Sequence, residues 1–222
     1  MNVIFTYCTL NNCSEFDEFF TKMARVAIAT AKRNIVNAKV IVYCDKESYE
    51  HFKTFKYIDD IVIVDYKSFD RTFWCFPKIV SYNMQEEEFV HIDLDIAILS
   101  KIDFSNKEFI SERIRKFDKS TNELRFLDQS MKVPDILYCS GIFGGNRLEY
   151  FKEMYSLAYK EKDTEFTYED LYSLEELNVT QKLIRDKVTV FNPSQKSFIH
   201  FWARPKEQYA DAVDVLSHMY MI

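Results

Sequence analysis

Glycine is almost missing from this sequence. Of the 222 residues only three are glycines, and all of them fall within residues 141–145. Glycine tolerates positive φ angles and lets another group approach the backbone closely. Gly141, Gly144 and Gly145 therefore predict either a tight turn between a strand and a helix or a bare stretch of backbone against a ligand. The two interpretations are compatible.

Paired cysteines, long apolar runs and excess positive charge are also missing. The five cysteines show no C-x-x-C spacing, which favours free thiols in a reducing compartment over a disulfide framework or a zinc site. The apolar start of the chain is too short for a signal peptide, and no apolar run reaches the roughly 18 residues of a transmembrane helix. The formal net charge of −6 makes nucleic acid an unexpected partner. We expect a cytoplasmic protein, with peripheral contact to a membrane left open.

Short apolar runs alternate with helical patterns through residues 1–99. The predicted strands are residues 3–5, 39–43, 61–64 and 89–92. The predicted helices between them are residues 15–36, 47–56 and 73–84. The strands are continuously apolar rather than alternating, which is typical of parallel strands with helices on both faces of the sheet. The pattern predicts an α/β fold, a mostly parallel sheet flanked by helices in a single domain.

The second half of the chain has a less regular pattern. Residues 100–135 mix charges with few apolar runs, and we expect loops and short helices there. Further strands are predicted at residues 136–139, 188–191 and 198–202, and helices at residues 147–160, 170–186 and from about 206 onwards. No linker rich in proline, glycine or serine divides the chain, so one domain is the simplest interpretation.

The triplet Asp93-Leu94-Asp95 directly follows the fourth predicted strand. In an extended segment, residues i and i+2 point the same way, so the two carboxylates would face one point while Leu94 turns inward. Two such close negative charges repel unless a cation lies between them or one is protonated. Mg²⁺ and Mn²⁺ prefer carboxylate and phosphate oxygens. The triplet alone is equally compatible with surface acids, but the apolar segments on both sides favour a metal site.

A histidine near the end of the chain offers a third possible metal ligand. His200 lies in the last apolar run, residues 198–202, and an imidazole at a strand end can ligate a metal. Arg204 and Lys206 follow and could neutralise phosphate. A histidine in such a run is more often part of a satisfied core, so its role as a ligand depends on Asp93 and Asp95.

The order of these segments resembles the glycosyltransferases of the GT-A fold. The resemblance is greatest to the retaining, metal-dependent group that includes glycogenin and bacterial lipopolysaccharide galactosyltransferases. That group has a strand ending in Asp, a helix carrying Lys or Arg, an apolar strand with D-x-D, an Asn-Ser-Gly-type turn and a late H-x-x-G-x-x-K-P-W motif. The matching residues are Asp45, Lys78, Asp93, Asp95, Ser140, Gly141, His200 and Lys206. The last motif differs, with Ala203 in place of Gly and Glu207 and Gln208 in place of Pro-Trp.

The resemblance implies roles for most of the residues above. It implies a single GT-A-like domain over residues 1–222, with a nucleotide-binding half in residues 1–99 and an acceptor and sugar half in residues 100–222. The implied ligands of Mn²⁺ or Mg²⁺ are Asp93, Asp95 and His200. The residues implied to contact a nucleotide-sugar, expected to be a UDP-sugar, are Tyr7, Asp45, Lys78, Asp93, Ser140, Gly141, Gly144, Gly145 and Lys206. The implied acceptor is a hydroxyl group of a glycan or glycolipid, as in polysaccharide biosynthesis.

Two adjacent acids, Glu175 and Glu176, are the candidates for catalysis. The acceptor hydroxyl must attack the anomeric carbon of the sugar. An inverting enzyme needs a carboxylate base near that hydroxyl, whereas a retaining enzyme can use the leaving phosphate. Retaining relatives have an acidic residue after the glycine turn, and we expect a retaining hexosyltransferase. The alternative for each glutamate is a place on a solvated helix face.

Three other functions are compatible with parts of the sequence. A phosphatase of the haloacid-dehalogenase type also has a strand ending in D-x-D, but it is the first strand, whereas the strand that ends at Asp93 is the fourth, with three predicted strands before it. A nucleotidyltransferase usually has a glycine-rich basic loop after its first strand, and residues 6–12 contain neither glycine nor a basic residue. An inactive nucleotide-sugar-binding module would keep the fold without turnover, and retention of all three presumed metal ligands argues against it.

Overall fold

Strands and helices alternate along the chain. The structure is a computed structural model that describes residues 1–9, 18–66, 75–117, 130–160, 173–201 and 206–220, without the side chains of residues 173, 206 and 207. Its strands are β1 (Asn2–Tyr7), β2 (Lys39–Cys44), β3 (Asp60–Ile63), β4 (Phe89–Ile92), β5 (Ile96–Ile98), β6 (Phe109–Ser111), β7 (Ile114–Lys116), β8 (Ile136–Tyr138), β9 (Ile142–Gly145), β10 (Val190–Phe191) and β11 (Phe198–His200). Its helices are α1 (Glu18–Asn34), α2 (Lys46–Phe52), α3 (Phe76–Asn83), α4 (Leu148–Lys160), α5 (Asn178–Arg185) and α6 (Ala210–Tyr220). A π-helical turn, Ser173–Leu177, leads into α5, and a 3₁₀ turn, Lys206–Tyr209, leads into α6.

Seven of the strands form one central sheet in the order β10-β6-β9-β4-β1-β2-β3. β1 pairs in parallel with β2 and β4, β2 pairs in parallel with β3, and β6 pairs in parallel with β10. β9 runs antiparallel to both of its neighbours, β4 and β6. Six of the seven strands in this sheet therefore point the same way, which confirms the predicted α/β fold with a mostly parallel sheet.

The central sheet separates two hydrophobic clusters, because neighbouring residues of a strand point to opposite faces. Ile4 of β1 belongs to the cluster that includes residues of α3, α4 and α5, whereas Val3 and Phe5 belong to the cluster that includes residues of α1 and α2. This burial on both faces explains why the strands are mostly apolar, although β4 contains the buried His91. Ligands of such sheets usually bind beyond the carboxyl ends of the strands.

The first half of the chain follows the prediction closely. The helix expected over residues 15–36 is present as α1, and its predicted start lies outside the described residues. Each of the four predicted strands is found within three residues of its expected bounds. The agreement follows from the length and strength of the apolar patterns, which leave few alternative assignments.

The second half differs from the prediction at residues 100–135. We expected loops and short helices there, but the segment contains β6, which joins the central sheet, and β7. The strands expected at residues 136–139 and 198–202 exist as β8 and β11, and both lie outside the central sheet. β8 pairs with β7, and β11 pairs with β5, both in antiparallel two-stranded ladders. β6 and β7, which were not predicted, have three residues each, which is too short for a recognisable pattern in the sequence.

Two of the three glycines allow β9 to lie between β4 and β6. A Cβ on Gly144 would lie 2.1 Å from the carbonyl oxygen of Phe89, and a Cβ on Gly145 would lie 2.4 Å from that of Glu108. Gly145 also has a φ of +129°, a conformation that favours glycine, just before α4 begins. The turn interpretation therefore applies to Gly145, and close strand packing explains Gly144.

A helix that crosses a bilayer requires a long and nearly uncharged apolar stretch. None of the helices in the described part of the chain provides one.

Candidate metal and donor-binding site

The acidic triplet lies at the carboxyl end of β4, the strand at the centre of the sheet. The backbone N–H of Asp93 donates to the carbonyl oxygen of Gly141 at 2.9 Å, which extends the ladder between β4 and β9 by one pair. The backbone N–H of Ile96 then donates to the carbonyl oxygen of Asp93 at 3.1 Å. Asp93-Leu94-Asp95 is therefore a turn, and the expectation of an extended segment is wrong. Leu94 nevertheless points inward, and only 8% of it is exposed.

The ladder between β5 and β11 brings His200 to the same turn. His200 pairs with Ile96, and the backbone N–H of Phe201 donates to the carbonyl oxygen of Asp95 at 2.8 Å. The side-chain Nε2 of His200 lies 3.4 Å from Oδ1 of Asp95. One ligand atom from each of Asp93, Asp95 and His200 lies within 4.8 Å of the others. The structure thus brings together the three residues predicted as metal ligands.

The charges at this turn favour a cation. Burial and the nearby carboxylate of Asp95 raise the pKa of Asp93 to about 6, although Lys78 acts in the opposite direction. Burial lowers the pKa of His200, but its contacts with Asp95 and Glu112 outweigh that effect and raise the pKa to about 9. Two carboxylates and one imidazole nitrogen are a suitable donor set for Mn²⁺ or Mg²⁺. The residues present therefore fit a divalent metal.

Lys78 is a buried cation beside the acidic turn. It lies in the first turn of α3, and its Nζ is 2.8 Å from Oδ1 of Asp93 and 3.7 Å from Oε1 of Glu175. Only 12% of its side chain is exposed. Burial lowers the pKa of Lys78, but Asp93 and Glu175 outweigh that effect and raise it above its ordinary value. Lys78 therefore stays charged and links the acidic turn to the π-helical turn.

Both glutamates of the π-helical turn are buried, so the alternative of a solvated helix face is wrong. Glu175 is 3% exposed and accepts a hydrogen bond from the Tyr82 hydroxyl at 3.3 Å. Glu176 is 8% exposed, and burial raises the pKa of both carboxyls. Single π-helical turns are rare and occur often at functional sites. Here both adjacent acids of the turn are buried.

Glu176 connects to Ser140, one of the residues predicted to contact the nucleotide-sugar. Its Oε1 accepts from the backbone N–H of Ser140 at 3.0 Å and from the Ser140 hydroxyl at 3.2 Å. Its Oε2 accepts from Nη2 of Arg115 at 2.8 Å. Ser140 therefore lies in the same buried network, with its hydroxyl directed to Glu176.

Glu112 and Arg115 are site residues that the sequence did not indicate. Glu112 is 1% exposed, and its Oε1 lies 3.1 Å from Nδ1 of His200. It directly follows β6, so it lies at the carboxyl end of a strand that is parallel to β4. Recognition of β6 would have been the signal for Glu112, because polar residues after parallel strands share one edge of a sheet.

The glycines have different places in the molecule. Gly141 lies at the site, since a Cβ there would lie 2.3 Å from Oε2 of Glu112 and 3.0 Å from Cε1 of His200. Gly144 and Gly145 pair with Val90 and Phe89 at the start of β4, whereas Asp93 follows its end. The expectation that Gly144 and Gly145 line a sugar pocket is therefore wrong, because strand packing places them at the opposite end of β4.

The chain matches the profile of one protein family over residues 36–192. The family is described as a family of unknown function, DUF6734. This chain belongs to that family. The matched range includes Lys78, Asp93, Asp95, Glu112 and the two glutamates at residues 175–176, whereas His200 lies beyond it. A comparison with curated proteins found no match.

Two solved structures of the glycosyltransferase GlyE from Streptococcus pneumoniae TIGR4 are similar to this member of the family. The apo form has a TM-score of 0.52 and the other structure a TM-score of 0.54, both at 10% sequence identity. Each alignment covers 99% of this chain and 62% of the GlyE chain, so this chain spans less than two thirds of the length of GlyE. At this identity the likeness establishes a glycosyltransferase-like fold. The closer relation to glycogenin and the lipopolysaccharide galactosyltransferases stays a prediction.

Two other predicted nucleotide contacts have structural partners. Asp45 is 3% exposed, and its Oδ2 accepts from the backbone N–H of Thr9 at 2.6 Å while its Oδ1 accepts from the backbone N–H of Ser48 at 3.0 Å. Tyr7 is 4% exposed, and its ring packs 5.5 Å from that of Phe20. These contacts tie β1 to neighbouring helices. The predicted roles of Tyr7 and Asp45 at the nucleotide stay predictions.

Lys206, the last predicted phosphate contact, lies outside the described side chains. Its backbone begins the 3₁₀ turn that leads into α6.

Proposed function

We propose that this chain is a metal-assisted glycosyltransferase that moves a sugar from a nucleoside diphosphate sugar to an acceptor hydroxyl. The expected donor is a UDP-sugar, and the expected acceptor is a glycan or glycolipid. One observation carries the proposal: ligand atoms of Asp93, Asp95 and His200 lie within 4.8 Å of one another at the carboxyl end of β4. The fold that holds them is similar to that of a glycosyltransferase.

Asp93, Asp95 and His200 would hold Mn²⁺ or Mg²⁺ in this proposal. The bound ion would act as a Lewis acid that stabilises negative charge on the leaving nucleoside diphosphate. Lys78 already contacts Asp93 at 2.8 Å and carries a buried positive charge at the same place. It supplies a second positive charge for a diphosphate and keeps the carboxylate of Asp93 oriented.

Glu175 is a better candidate than Glu176 for a group that acts on the acceptor or the sugar. Both oxygens of Glu176 accept hydrogen bonds, from Ser140 and Arg115, and these fix it as part of the framework. Glu175 faces Lys78 at 3.7 Å, on the side of the acidic turn. In the reaction the acceptor oxygen bonds to the anomeric carbon while the bond from that carbon to the diphosphate breaks. The proton of the hydroxyl passes to the leaving phosphate in a retaining reaction, which we expect, or to a carboxylate such as Glu175 in an inverting one.

The test is a panel of nucleotide-sugars incubated with the protein and MnCl₂, with released nucleoside diphosphate as the readout. We expect release from one donor class with the wild type and none with Asp95→Ala. Isothermal titration with UDP, in the presence and absence of MnCl₂, separates donor binding from turnover. UDP binding that requires Mn²⁺ and disappears in Asp95→Ala supports the proposal. A UDP affinity that is the same with and without Mn²⁺ contradicts it.

The same experiments distinguish the other functions. UDP binding with Mn²⁺ but without turnover of any donor would indicate an inactive binding module. Mg²⁺-dependent hydrolysis of generic phosphate esters, abolished in Asp93→Asn, would indicate a phosphatase. Release of inorganic diphosphate from a nucleoside triphosphate and a sugar phosphate would indicate a nucleotidyltransferase.

A further inference from the structure

Glu112 is the most deeply buried acid around the acidic turn, and the proposed reaction gives it no part. It is 1% exposed, and its Oε1 lies 3.1 Å from Nδ1 of His200. The other ring nitrogen of His200, Nε2, is the one that faces Asp95, at 3.4 Å. The imidazole therefore lies between two carboxylates, with Glu112 on the side away from the acidic turn.

The backbone holds Glu112 in this place from both sides. Its N–H donates to the carbonyl oxygen of Cys139 at 3.2 Å, and its carbonyl oxygen accepts from Nε2 of Gln195 at 3.4 Å. Cys139 directly precedes the Ser140-Gly141 segment, and Gln195 lies in the segment that enters β11. Glu112 is thus fixed relative to both the glycine segment and the strand that carries His200.

Gly141 makes the space that Glu112 occupies. A Cβ at residue 141 would lie 2.3 Å from Oε2 of Glu112 and 3.0 Å from Cε1 of His200. The contact with Glu112 is impossible for a real side chain, so any other residue at position 141 would displace the carboxylate or the imidazole. The conformation of Gly141 has no positive φ that would require glycine. Glycine is therefore required at residue 141 because a side chain there would fill the space of the Glu112 carboxylate.

One oxygen of Glu112 is left without a hydrogen bond among the described residues. Its Oε2 is buried and unpaired, whereas Oε1 faces the imidazole. A buried carboxylate with an unpaired oxygen is costly, and stability alone does not favour it over an apolar residue. The arrangement is what a metal-binding histidine requires, because such a histidine usually donates its second N–H to a carboxylate or a carbonyl group.

We propose that Glu112 is a positioning residue for His200: its carboxylate accepts the Nδ1–H and so presents the lone pair of Nε2 to a metal held with Asp93 and Asp95. This inference rests on the proposed metal site. Glu112 touches neither the metal nor the substrate in this role and acts only through the imidazole. It fixes both the ring orientation and the tautomer of His200.

The test compares Glu112→Ala, Glu112→Gln and the wild type in direct binding of MnCl₂ without nucleotide, measured by titration calorimetry. Loss of such a supporting carboxylate typically lowers metal affinity by about 10- to 100-fold, and we expect that loss in Glu112→Ala. Glu112→Gln keeps an oxygen acceptor for Nδ1–H at nearly the same size, so we expect it to recover part of the affinity. Glu108→Gln is the matched control and should bind as the wild type does, because Glu108 is a half-buried acid that directly precedes β6, at the end away from Glu112, and pairs with Arg147.

Two further measurements separate positioning from a purely structural role. The thermal midpoint of each metal-free variant shows whether it is folded at the temperature of the titration. The ¹⁵N shifts of the His200 ring, recorded with saturating Mg²⁺, which is diamagnetic, report which ring nitrogen keeps its proton, and we expect protonated Nδ1 to persist in Glu112→Gln and to be lost in Glu112→Ala. If Glu112→Ala does not fold, a Glu112→Gln protein with wild-type affinity and an altered tautomer overturns the inference.

The outcomes also separate this inference from the proposed function. If the wild type does not bind Mn²⁺, the proposed metal site fails and the role of Glu112 fails with it. If the wild type binds Mn²⁺ and both Glu112 variants bind equally well, the metal site stands and the positioning role is overturned.

Discussion

Glu175 and Glu176 are adjacent in sequence but have different surroundings. Glu176 has hydrogen-bond donors at both oxygens, from Ser140 and Arg115, and its loss would leave these donors unpaired. Glu175 faces Lys78, which it shares with Asp93, and accepts from the Tyr82 hydroxyl. We therefore expect Glu175 to take part in the reaction and Glu176 to stabilise the surrounding structure.

Glu175→Gln should therefore impair turnover more than folding, and Glu176→Gln the reverse. In an inverting reaction Glu175 would take the proton of the acceptor, a role typically worth about 10²- to 10⁴-fold in rate. In the retaining reaction that we expect, its negative charge would instead stabilise positive charge on the sugar as the bond to the diphosphate breaks, which is worth about 10²- to 10³-fold. We therefore expect kcat to fall by about 10²-fold or more in Glu175→Gln, with little change in KM. For Glu176→Gln we expect a loss of about 1–3 kcal/mol in the free energy of unfolding, from unpaired buried donors. Steady-state kinetics with the donor found in the panel, together with denaturant unfolding, measures both effects. Equal kcat values for Glu175→Gln and the wild type would remove Glu175 from the chemistry.

His200 allows a test of metal ligation through its proton. Because the pKa of His200 is raised to about 9, the ring carries two protons at pH 7 in the metal-free protein. Asp93, with a pKa raised to about 6, is mostly ionised at that pH. A metal ligand must lose its proton, so binding of Mn²⁺ at pH 7 should release about one proton, and the affinity should rise as the pH increases from 6 toward about 9.

Titration of MnCl₂ at pH 7 in two buffers with different ionisation enthalpies measures that proton release. His200→Asn is the control and should bind Mn²⁺ more weakly, with heats that depend much less on the buffer. Wild-type heats that do not depend on the buffer would contradict this prediction, because no proton would then leave His200 when the metal binds. Equal affinities of the wild type and His200→Asn would support the core interpretation of this residue.

At the scale of secondary structure, Asp45 explains how the end of β1 is joined to α2. It is the N-cap of α2, where its side chain accepts from the backbone N–H of Ser48, and it also accepts from Thr9 after β1. Burial raises the pKa of Asp45, but the hydrogen bonds from Ser48 and Thr9 outweigh that effect and lower it. A carboxyl group whose folded pKa is lowered stabilises the fold at pH values above its unfolded pKa of about 3.9. That contribution is lost as the pH falls through the folded pKa.

Asp45→Ala should therefore destabilise the protein at neutral pH and less so in acid. Loss of an N-cap costs about 0.5–2 kcal/mol, and we expect a value at the upper end because the N–H of Thr9 loses its acceptor as well. The difference in the free energy of unfolding between the wild type and Asp45→Ala should shrink as the pH falls below about 4. Urea unfolding of both proteins at pH 7 and pH 3.5 checks this. Unchanged stability together with weaker UDP binding would instead support a direct contact between Asp45 and the nucleotide.

The elements that could be predicted from the sequence are those with long apolar patterns. β1, β2, β4 and α1 are buried on wide faces, and their periodicity is visible without the fold. β6 has three residues and owes its place to pairing with β9, so nothing local in the sequence identifies it. β9 was hidden by Gly144 and Gly145, which suggest a turn: both let neighbouring strands approach closely, and only Gly145 also has a positive φ.

Some residues of the candidate site could also be predicted from the sequence, and others could not. Asp93 and Asp95 could be predicted as candidates because apolar segments lie on both sides of the D-x-D, although its turn geometry could not be predicted. His200 required the resemblance to a known group of enzymes, since the histidine alone favours a core role. Glu112 could not be predicted, because its contact with His200 depends on β6 and on the ladder between β5 and β11.

At the scale of the whole molecule, the central sheet crosses the boundary that the sequence suggested between residues 99 and 100. β4 belongs to the first half, and its neighbour β9 belongs to the second. The outer face of α1 also depends on the second half of the chain for its packing, because Met23 and Val26 lie in one cluster with Phe201 and Val213. The candidate metal site combines residues of both halves as well, since Asp93 and Asp95 precede the boundary and His200 follows it.

We therefore expect that a fragment of residues 1–99 does not fold by itself. Exposure of a buried aliphatic or aromatic side chain costs about 1.5–3 kcal/mol, so the loss of the partners of Met23, Val26 and β4 is comparable with a total stability of about 5–15 kcal/mol. Circular dichroism of the fragment should show no cooperative thermal transition, and calorimetry should show no binding of UDP, whereas the full chain gives a single transition. A fragment that unfolds cooperatively and binds UDP would show an independent nucleotide-binding unit, and the interdependence of the two halves through β9 and α1 would then be wrong.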